Sequence, residues 1–501
     1  MIVALWIAAA GACGLAGLRW LRVAQREHYL SLTVTRFAWR WWNTHAANRM
    51  LLVAGLVAVG FAFLYPAIGL ATAVVVAIGP LGLSITGRTA PLRWTTRLRR
   101  LAATTAVISA ALVLVGLVLG YPAVAMLAAG LLMPALVDLA LAVIAPLERR
   151  LSAGFVDQAG RTLAQLAPTV VAITGSYGKT TTKAYLARLL RDSHATVASP
   201  ASFNNRLGLA RAINEHLAAG TEVFIAEMGT YGKGEIAELC SWIEPTVGII
   251  TAIGPVHLER FGSLDKIVEA KSEILERVRT AVLNVDDPRL EVLASQIGQE
   301  VIRCSTQDPA ADIFIDAAGD GGVFVRGVRV ATLDDASVFP GNLSCALGAA
   351  LAVGVPMAHV ERAIGDLPRA EHRQTVSISD LGFTIVDDTY NSNPAGARSA
   401  LATLERLGTG KRLVLVTPGM VELGRRQYEE NVALASLAVG RVTDLVIVGR
   451  TNRDALREGT VGGRASVIVV DSREDAVGWV RENLGVGDVV LYENDLPDHY
   501  P

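Results

Sequence analysis

Cysteine is scarce in this sequence of 501 residues. Its four cysteines stand far apart and none belongs to a C-x-x-C pair, which excludes a zinc ribbon and the disulfide framework of a small secreted domain. We therefore expect free thiols in a reducing cytosol, buried as cysteine usually is. They are Cys13, Cys240, Cys304 and Cys345.

Residues 1–150 contain no lysine and very few acidic residues. The stretch holds 13 arginines and three acids, a net charge of +10, so the rest of a chain whose total is −1 carries −11. Its apolar runs lack the polar face of a helix in a soluble protein, and several approach the roughly 20 residues that cross a membrane. Residues 1–147 are predicted to form a transmembrane region of about five spans, near 2–18, 50–65, 67–86, 101–120 and 122–145. A soluble protein with buried helices is the alternative.

The arginines also predict an orientation. They lie between the first and second runs, between the third and fourth, and after the fifth, whereas the hairpin tips at Tyr65-Pro66 and Tyr121-Pro122 carry no charge. Because positive loops stay in the cytoplasm, we expect the N-terminus outside an inner membrane and everything after about residue 147 inside.

Two features of this region suggest specific roles. Trp39, Trp41 and Trp42 lie in an arginine-containing loop and predict an amphipathic segment at the membrane interface. Asp138 lies within the fifth run, and an acid there is either functional or a hydrogen-bond partner in the interior of the helix bundle.

Strand and helix patterns alternate after an amphipathic connector at residues 148–168, which predicts α/β domains with parallel sheets. Residues 169–373 are predicted to form a central ATP-binding domain, with a hairpin around Asp320-Gly321-Gly322. Residues 374–501 are predicted to form a Rossmann-like, doubly wound domain, although the absence of G-x-G-x-x-G argues against a dinucleotide site there. The predicted strands lie near 169–173, 223–226, 247–251, 281–284, 382–386, 412–416, 445–448, 467–470 and 489–491.

A glycine turn follows the first of these strands and opens a helix: Thr174-Gly175-Ser176-Tyr177-Gly178-Lys179-Thr180-Thr181. This is the layout of a phosphate-binding loop, whose backbone N–H groups and helix N-terminus favour anions. Lys179 can reach the β- and γ-phosphates, and the Thr180 hydroxyl can join a Mg²⁺ shell. The general G-x-x-x-x-G-K-T pattern needs glycine where Ile173 stands, so a chance turn is the alternative.

Four further clusters follow in order along the chain. They are S-F-N-N-R-L-G at 202–208, E-M-G at 227–229 with G-K-G-E-I at 232–236, T-A-I-G-P-V-H-L-E at 251–259 with A-K-S-E-I at 270–274, and D-D-T-Y-N-S-N-P at 387–394. With the loop, they make residues 169–425 similar to the Mur ligase family. The nearest branch of that family joins D-alanyl-D-alanine to a muramyl-tripeptide.

The resemblance implies an ATP-dependent, ADP-forming carboxylate–amine ligase that acts through an acyl phosphate. Attack of a carboxylate on a γ-phosphate is opposed by like charge, so cations and fixed dipoles must absorb that charge. By position, the resemblance assigns catalysis to Lys179, His257, Lys271, Asn204 and Asn205. It assigns ATP binding to Gly175, Ser176, Tyr177, Gly178, Lys179, Thr180, Thr181, Asn342 (adenine), Arg373 (phosphates) and Asp388 (ribose).

The resemblance also implies two Mg²⁺ ions, held by Thr180, Glu227, His257 and Lys271. The lysine matches one that family members carry as a carbamate. Each assignment has a plain structural alternative. His257 can be a structural histidine, Lys271 a surface lysine on a helix, and the two asparagines turn-forming residues. Asn342, Arg373 and Asp388 can serve loop or hinge structure.

The sequence departs from the family at both ends. Family members begin with a domain for the UDP-sugar substrate, and a membrane region stands here instead, so the predicted donor is a small-molecule or lipid-linked carboxylate. The acceptor is an amino acid or peptide, left open because Tyr492-Glu493-Asn494 replaces a basic Lys-Gly-Ser element. Cell-envelope or peptidoglycan-type precursor synthesis is the expected context, with no nucleic-acid partner.

Other functions stay open at this point. A P-loop ATPase that drives transport would use Asp138 and the spans as a path. A scaffold for cell-wall enzymes would need no chemistry, and a poly-γ-glutamate-type synthase is the nearest alternative among ligases. Amidation with a glutaminase partner is disfavoured because a cysteine cluster is missing.

Overall fold

The structure is a computed structural model of the chain. It describes all residues except 1, 87–90, 201–202, 257, 336–337, 369–373, 390–391, 409–410, 497–499 and 501, and it leaves out the side chains at positions 66 and 259. The chain divides into two compact units, Met1–Ala153 with Leu496–Pro501, and Gly154–Asp495.

The N-terminal unit is helical. Prolines occupy the first turns of its fourth and sixth helices, where the missing N–H of proline is tolerated, so both predicted hairpins turn where expected. The helices are α1 (Ile2–Arg26), α2 (Thr33–Thr44), α3 (Ala46–Ala62), α4 (Pro66–Ile78), α5 (Thr96–Val118), α6 (Pro122–Leu131) and α7 (Met133–Leu166), and the boundary between the two units falls within α7.

Among the residues that the structure describes, two helices, α1 and α5, are long and apolar enough to cross a membrane. The bent pairs α2 with α3 and α6 with α7 raise the number to four if each pair is one span. The count of about five spans stays a prediction. The run expected near residues 67–86 forms the shorter helix α4, whose 13 residues cover about 20 Å at 1.5 Å per residue. Gly79-Pro80 ends this helix within the predicted run, because the residue before a proline avoids the helical conformation.

Asp138 has a structural role in this unit. Its carboxylate is buried and accepts hydrogen bonds from the backbone N–H groups of Val34 (3.3 Å) and Thr35 (2.7 Å) at the start of α2. The residue before that helix, Leu32, caps nothing with its side chain. Asp138 thus satisfies helix N–H groups that have no partner within their own helix.

The tryptophan helix α2 is amphipathic, as predicted. Trp41 and Trp42 are buried, whereas Trp39 is exposed. The indole N–H of Trp41 donates to the carbonyl oxygen of Leu81 at 3.0 Å, so this face of the helix packs within its own unit.

The first sheet of the second unit contains, in the described residues, nine strands in the order β2-β3-β1-β4-β5-β6-β7-β8-β9. Neighbours are parallel as far as β7, and the last two strands are antiparallel. The strands are β1 (Thr169–Thr174), β2 (Thr196–Ala198), β3 (Val223–Glu227), β4 (Val247–Ile250), β5 (Thr280–Asn284), β6 (Glu300–Ser305), β7 (Ile313–Ile315), β8 (Gly322–Val325) and β9 (Val328–Thr332). The predicted parallel α/β sheet is confirmed. The structure also contains β2 and β6, which were not predicted, and divides the predicted hairpin region into three strands.

Helices cover both faces of this sheet. Alternate residues of β1 enter opposite cores, Val170 and Ala172 on one side and Val171 and Ile173 on the other. This explains why the strand reads as an unbroken apolar run. The helices are α8 (Lys179–Leu190), α9 (Arg206–His216), α10 (Glu235–Ile243), α11 (Leu258–Phe261), α12 (Leu264–Ser272), α13 (Pro288–Gln296), α14 (Pro340–Val353) and α15 (Met357–Ile364), with a 3-10 turn at Glu273–Leu275.

A second sheet has six strands in the described part of the chain, in the order β10-β11-β15-β12-β13-β14, and only β10 runs antiparallel. Its strands are β10 (Thr375–Ile378), β11 (Thr384–Asp388), β12 (Leu413–Thr417), β13 (Asp444–Val448), β14 (Ser466–Val470) and β15 (Val489–Glu493). Its helices are α16 (Pro394–Leu407), α17 (Gln427–Ala438), α18 (Arg453–Gly459) and α19 (Arg473–Asn483), with a 3-10 turn at Gly424–Arg426. This is the predicted doubly wound arrangement with one added edge strand.

Candidate active site

The glycine turn between β1 and α8 has the backbone geometry expected of the predicted phosphate-binding loop. Gly178 has a φ of +79° and stands directly before the helix, a conformation that glycine adopts readily. A Cβ on Gly175 would lie 2.0 Å from the hydroxyl of Thr251, so a side chain there is excluded. The Ser176 hydroxyl donates to the carbonyl of Gly254 at 3.1 Å and accepts from its N–H at 3.0 Å. The loop is therefore held against the segment that follows β4.

Lys179 stands at the first position of α8. Its ammonium donates a hydrogen bond to the carbonyl oxygen of Gly175 at 2.8 Å, so the side chain folds back over its own loop. The lysine is half-buried. A cation in this position would face the charge of a phosphate held by the loop N–H groups.

Glu227 ends the neighbouring strand β3 and is buried. The Thr180 hydroxyl lies 3.2 and 3.1 Å from its two carboxylate oxygens, and the Lys183 ammonium lies 2.8 Å from Oε2. Burial alone would raise the pKa of Glu227, but the nearby charge of Lys183, with help from Lys179 and Thr180, outweighs it and holds the pKa below its usual value. The carboxylate is therefore ionised.

Lys271 is buried near the end of α12. Burial, and then the charge of Lys179, lower the pKa of this amine well below its ordinary value, so the neutral form is favoured. Lys271 is thus no surface lysine. It lines a cavity of about 80 Å³ with Gly175, Ser176, Lys179, Asn204, Asn205, Gly229, Thr230, Tyr231, Glu235, Val256 and Phe261.

Comparison with known proteins accounts for this arrangement. Residues 173–338 match the Mur ligase middle domain, and residues 369–492 match the Mur ligase, glutamate ligase domain. The UDP-N-acetylmuramoyl-tripeptide–D-alanyl-D-alanine ligase of Mycobacterium tuberculosis is 31% identical over 362 residues, which are 64% of this chain and 69% of the relative. The chain belongs to the Mur ligase family. It is an ATP-dependent, ADP-forming amide ligase.

Further relatives agree with this membership. The ligase of the same name from Bacillus subtilis is 26% identical over 341 residues, 66% of this chain and 74% of the relative. The crystal structure of MurF ligase from Thermotoga maritima in complex with ADP has the same fold, with a TM-score of 0.58 and 24% identity over 68% of this chain and 80% of that one.

A Mg²⁺ ion, which Mur ligases use, fits the oxygen atoms beside the loop. The Thr180 hydroxyl and the Glu227 carboxylate are hard ligands, and Mg²⁺ commonly takes one or two protein carboxylates together with substrate phosphates and water. Among the described residues there is no group of three His, Cys, Asp or Glu side chains that could hold a metal alone. His257, expected at a second metal, lies outside the described residues.

The two asparagines predicted near the reacting groups line the cavity. Asn205 also caps α9, because its side-chain oxygen accepts from the N–H of Gly208 at 3.0 Å. The backbone carbonyl of Asn204 accepts from the N–H of Gly229 at 2.8 Å. Asn205 thus has a local structural role and also lines the cavity, and the place of both asparagines near the reacting groups stays a prediction.

The other residues predicted to contact the nucleotide lie at several different positions. Thr181 is buried in the first turn of α8. The side chain of Asn342, in the first turn of α14, lies against Gly178, where a Cβ would come within 2.2 Å of its Oδ1. Asp388 ends β11 in the second sheet, in register with Glu493 of β15. Arg373, with His372, lies outside the described residues.

Tyr177 connects the loop with the second sheet's domain. Its hydroxyl lies beside Gly254, where a Cβ would come within 2.1 Å of it. Burial raises the pKa of this phenol, and the nearby charge of Glu430 raises it further. Glu430 belongs to α17, so the C-terminal domain of this Mur ligase lies close to the phosphate loop.

Sequence reasoning missed Lys183. It lies four residues after Lys179 and three after Thr180, and residues at these spacings share one face of a helix. That spacing was a usable signal, but its partner Glu227 is identified only once β1 and β3 are known to be neighbours.

Proposed function

We propose that this Mur ligase is anchored in the membrane and forms an amide through an acyl phosphate, in the synthesis of a peptidoglycan-type precursor. One observation carries the proposal: the phosphate loop with Lys179, the buried Lys271 and the pair Asn204 and Asn205 surround one cavity. A γ-phosphate on the loop would therefore face a pocket for a carboxylate donor.

The reaction follows from these charges. A donor carboxylate oxygen attacks the γ-phosphorus, the bond to the β-phosphate oxygen breaks, and ADP leaves. The acceptor amine then attacks the acyl carbon, phosphate leaves, and the amine loses a proton. Lys179 and the loop N–H groups hold the phosphate charge as it shifts. A bound Mg²⁺, held by Thr180 and Glu227, would neutralise further phosphate charge.

Lys271 suits a carbamate. A neutral amine can attack CO₂ to give a carbamate and a proton, and burial beside Lys179 favours the neutral amine. The carbamate would supply the oxygen ligands that a second Mg²⁺ prefers. Activity that falls in CO₂-depleted buffer and returns with bicarbonate would support this step.

The substrates are inferred from the relatives. Their names specify a UDP-N-acetylmuramoyl-tripeptide donor and a D-alanyl-D-alanine acceptor. We infer a dipeptide amine and a muramyl-peptide carboxylate here, with the donor linked to a lipid because the ligase would work at the membrane. Apolar side chains that point outwards from α5 support the anchor, with Val118 82% exposed.

The inferred orientation keeps the arginine-rich loops and the ligase unit in the cytoplasm, with the N-terminus outside. Single cysteines at Tyr65 and Trp94, in a chain whose four native cysteines are replaced, test it. A membrane-impermeant maleimide should label position 65 in intact cells and position 94 only after lysis. Labelling of position 94 in intact cells would contradict the orientation.

The decisive assay uses the full chain in detergent or nanodiscs with Mg-ATP. UDP-linked and polyprenyl-linked muramyl-tripeptides serve as donors, and D-alanyl-D-alanine, single amino acids or no amine serve as acceptors. We expect ADP release that depends on both partners, and a hydroxamate when hydroxylamine replaces the acceptor. ADP release that needs neither partner would instead favour the transport ATPase, and chains of γ-linked glutamate would favour the polymer synthase.

A further inference from the structure

Lys183 and Glu227 form a buried ion pair. Their side chains are 8% and 4% exposed, with Nζ 2.8 Å from Oε2. A buried carboxylate without a partner is strongly destabilising. The Lys179 ammonium donates to the Gly175 carbonyl at 2.8 Å, and its charge also helps to lower the pKa of Glu227.

The other groups that form hydrogen bonds with Glu227 are neutral. The Thr180 hydroxyl contacts both carboxylate oxygens, and the backbone N–H of Glu227 donates to the Ser199 hydroxyl at 3.1 Å. Thr180 and Lys183 reach the carboxylate from consecutive turns of the same helix, α8. Lys183 therefore supplies the compensating charge and also fixes one oxygen of the carboxylate.

We propose that Lys183 is a positioning residue that serves as the standing counter-ion of Glu227 and shares this carboxylate with Mg²⁺. With Lys183 in place, the ligase folds without metal, and the carboxylate is held in one orientation beside Thr180. Because the ammonium and the metal neutralise the same charge, Lys183 weakens Mg²⁺ binding. The inference rests on the proposed function only in taking Glu227 as a Mg²⁺ ligand.

The test compares the melting temperature of the full chain in detergent, with EDTA or with increasing MgCl₂ and without nucleotide. In K183M we expect a lower melting temperature in EDTA that Mg²⁺ restores. The Mg²⁺ concentration at half-effect should fall about tenfold relative to the unmodified chain, a factor that corresponds to about 1.4 kcal/mol. K183R keeps the charge and should respond to Mg²⁺ as the unmodified chain does.

The double variant K183M/E227Q carries neither charge. It should fold in EDTA, melt above K183M and show no response to Mg²⁺. If K183M does not fold, the double variant still decides the matter, because its failure to fold would overturn the proposal. An equal Mg²⁺ response in K183M and the unmodified chain would also overturn it.

This outcome is separate from that of the ligase assay. A chain that shows the expected Mg²⁺ coupling but makes no amide would refute the proposed function and leave Lys183 as counter-ion. If the chain forms the amide but K183M responds to Mg²⁺ as the unmodified chain does, the proposed function stands and the role of Lys183 as counter-ion is refuted. A lysine that only packs would lower the melting temperature without altering the metal response.

Discussion

The Lys179 ammonium donates to the carbonyl oxygen of Gly175, 2.8 Å away, and so closes a ring within the phosphate loop. The contact is partly exposed and local. Little of the folding free energy depends on it, although it places the cation where phosphate would bind.

We therefore expect K179A to lose activity without losing its fold. Acceptor-dependent ADP release should fall by roughly 10²–10³-fold or more, as for the loss of one group that stabilises developing charge, with a nearly unchanged melting temperature. Lys411, an exposed lysine in the C-terminal domain, gives the matched control K411A. Full turnover in K179A would show that the loop is not the phosphate site.

The buried amine of Lys271 predicts a pH-dependent stability. Its pKa in the folded protein is well below the ordinary 10.5, so between these two values the unfolded chain binds a proton that the folded chain does not. Stability of the unmodified chain must then rise with pH across this window. In CO₂-free buffer, K271M should melt higher than the unmodified chain, with a difference that shrinks as the pH approaches 10.5.

The control for this series lies on the same helix. Lys266 is exposed, so K266M should match the unmodified chain at every pH. Melting curves over the pH range decide the issue, and a K271M curve parallel to that of the unmodified chain would contradict the depressed pKa.

Asp138 predicts an effect on stability rather than on chemistry. D138A leaves the first N–H groups of α2 without their acceptor, which should cost about 1 kcal/mol, as loss of a helix cap does. Limited proteolysis around residues 27–45 should accelerate, while ligation per folded molecule stays constant. D157A, at an exposed position of α7, is the control. Loss of ATP turnover in folded D138A would instead support the transport alternative.

Alanine variants of Gly178 and Gly220 distinguish the effect of backbone strain from the effect of steric crowding. Both have positive φ, 79° and 90° respectively, but a Cβ meets Asn342 at the first and nothing within 4 Å at the second. The free energy of unfolding of each alanine variant should fall by about 1–2 kcal/mol, because the left-handed backbone is unfavourable for alanine. Only G178A should also lose affinity for a fluorescent ADP analogue, measured by titration. Equal nucleotide affinity in both variants would rule out crowding at the loop.

The sequence predicted the loop and most of the sheet because those signals are local. A buried parallel strand is a short apolar run, and a phosphate loop is a contiguous motif. Two of the strands that escaped notice have a physical reason: β2 has three residues, and β10 is exposed along its whole length, so neither shows a hydrophobic pattern.

The long-range contacts could not be predicted for the opposite reason. Lys183 meets Glu227 only because β3 pairs with β1, and Asp138 meets Thr35 across 103 residues. Gly79-Pro80 marks the early end of α4 in the sequence. The residues on either side are apolar, however, so the mean hydropathy of the run does not show the break.

The contact between Asn342 and Gly178 has one more consequence. The start of α14 cannot shift towards α8 without pushing on the turn that would cradle the phosphates. If Asn342 meets the purine, as its position in the family implies, a nucleotide with the wrong base would misalign its own reacting end. Base selection would then act on the rate of catalysis as well as on affinity.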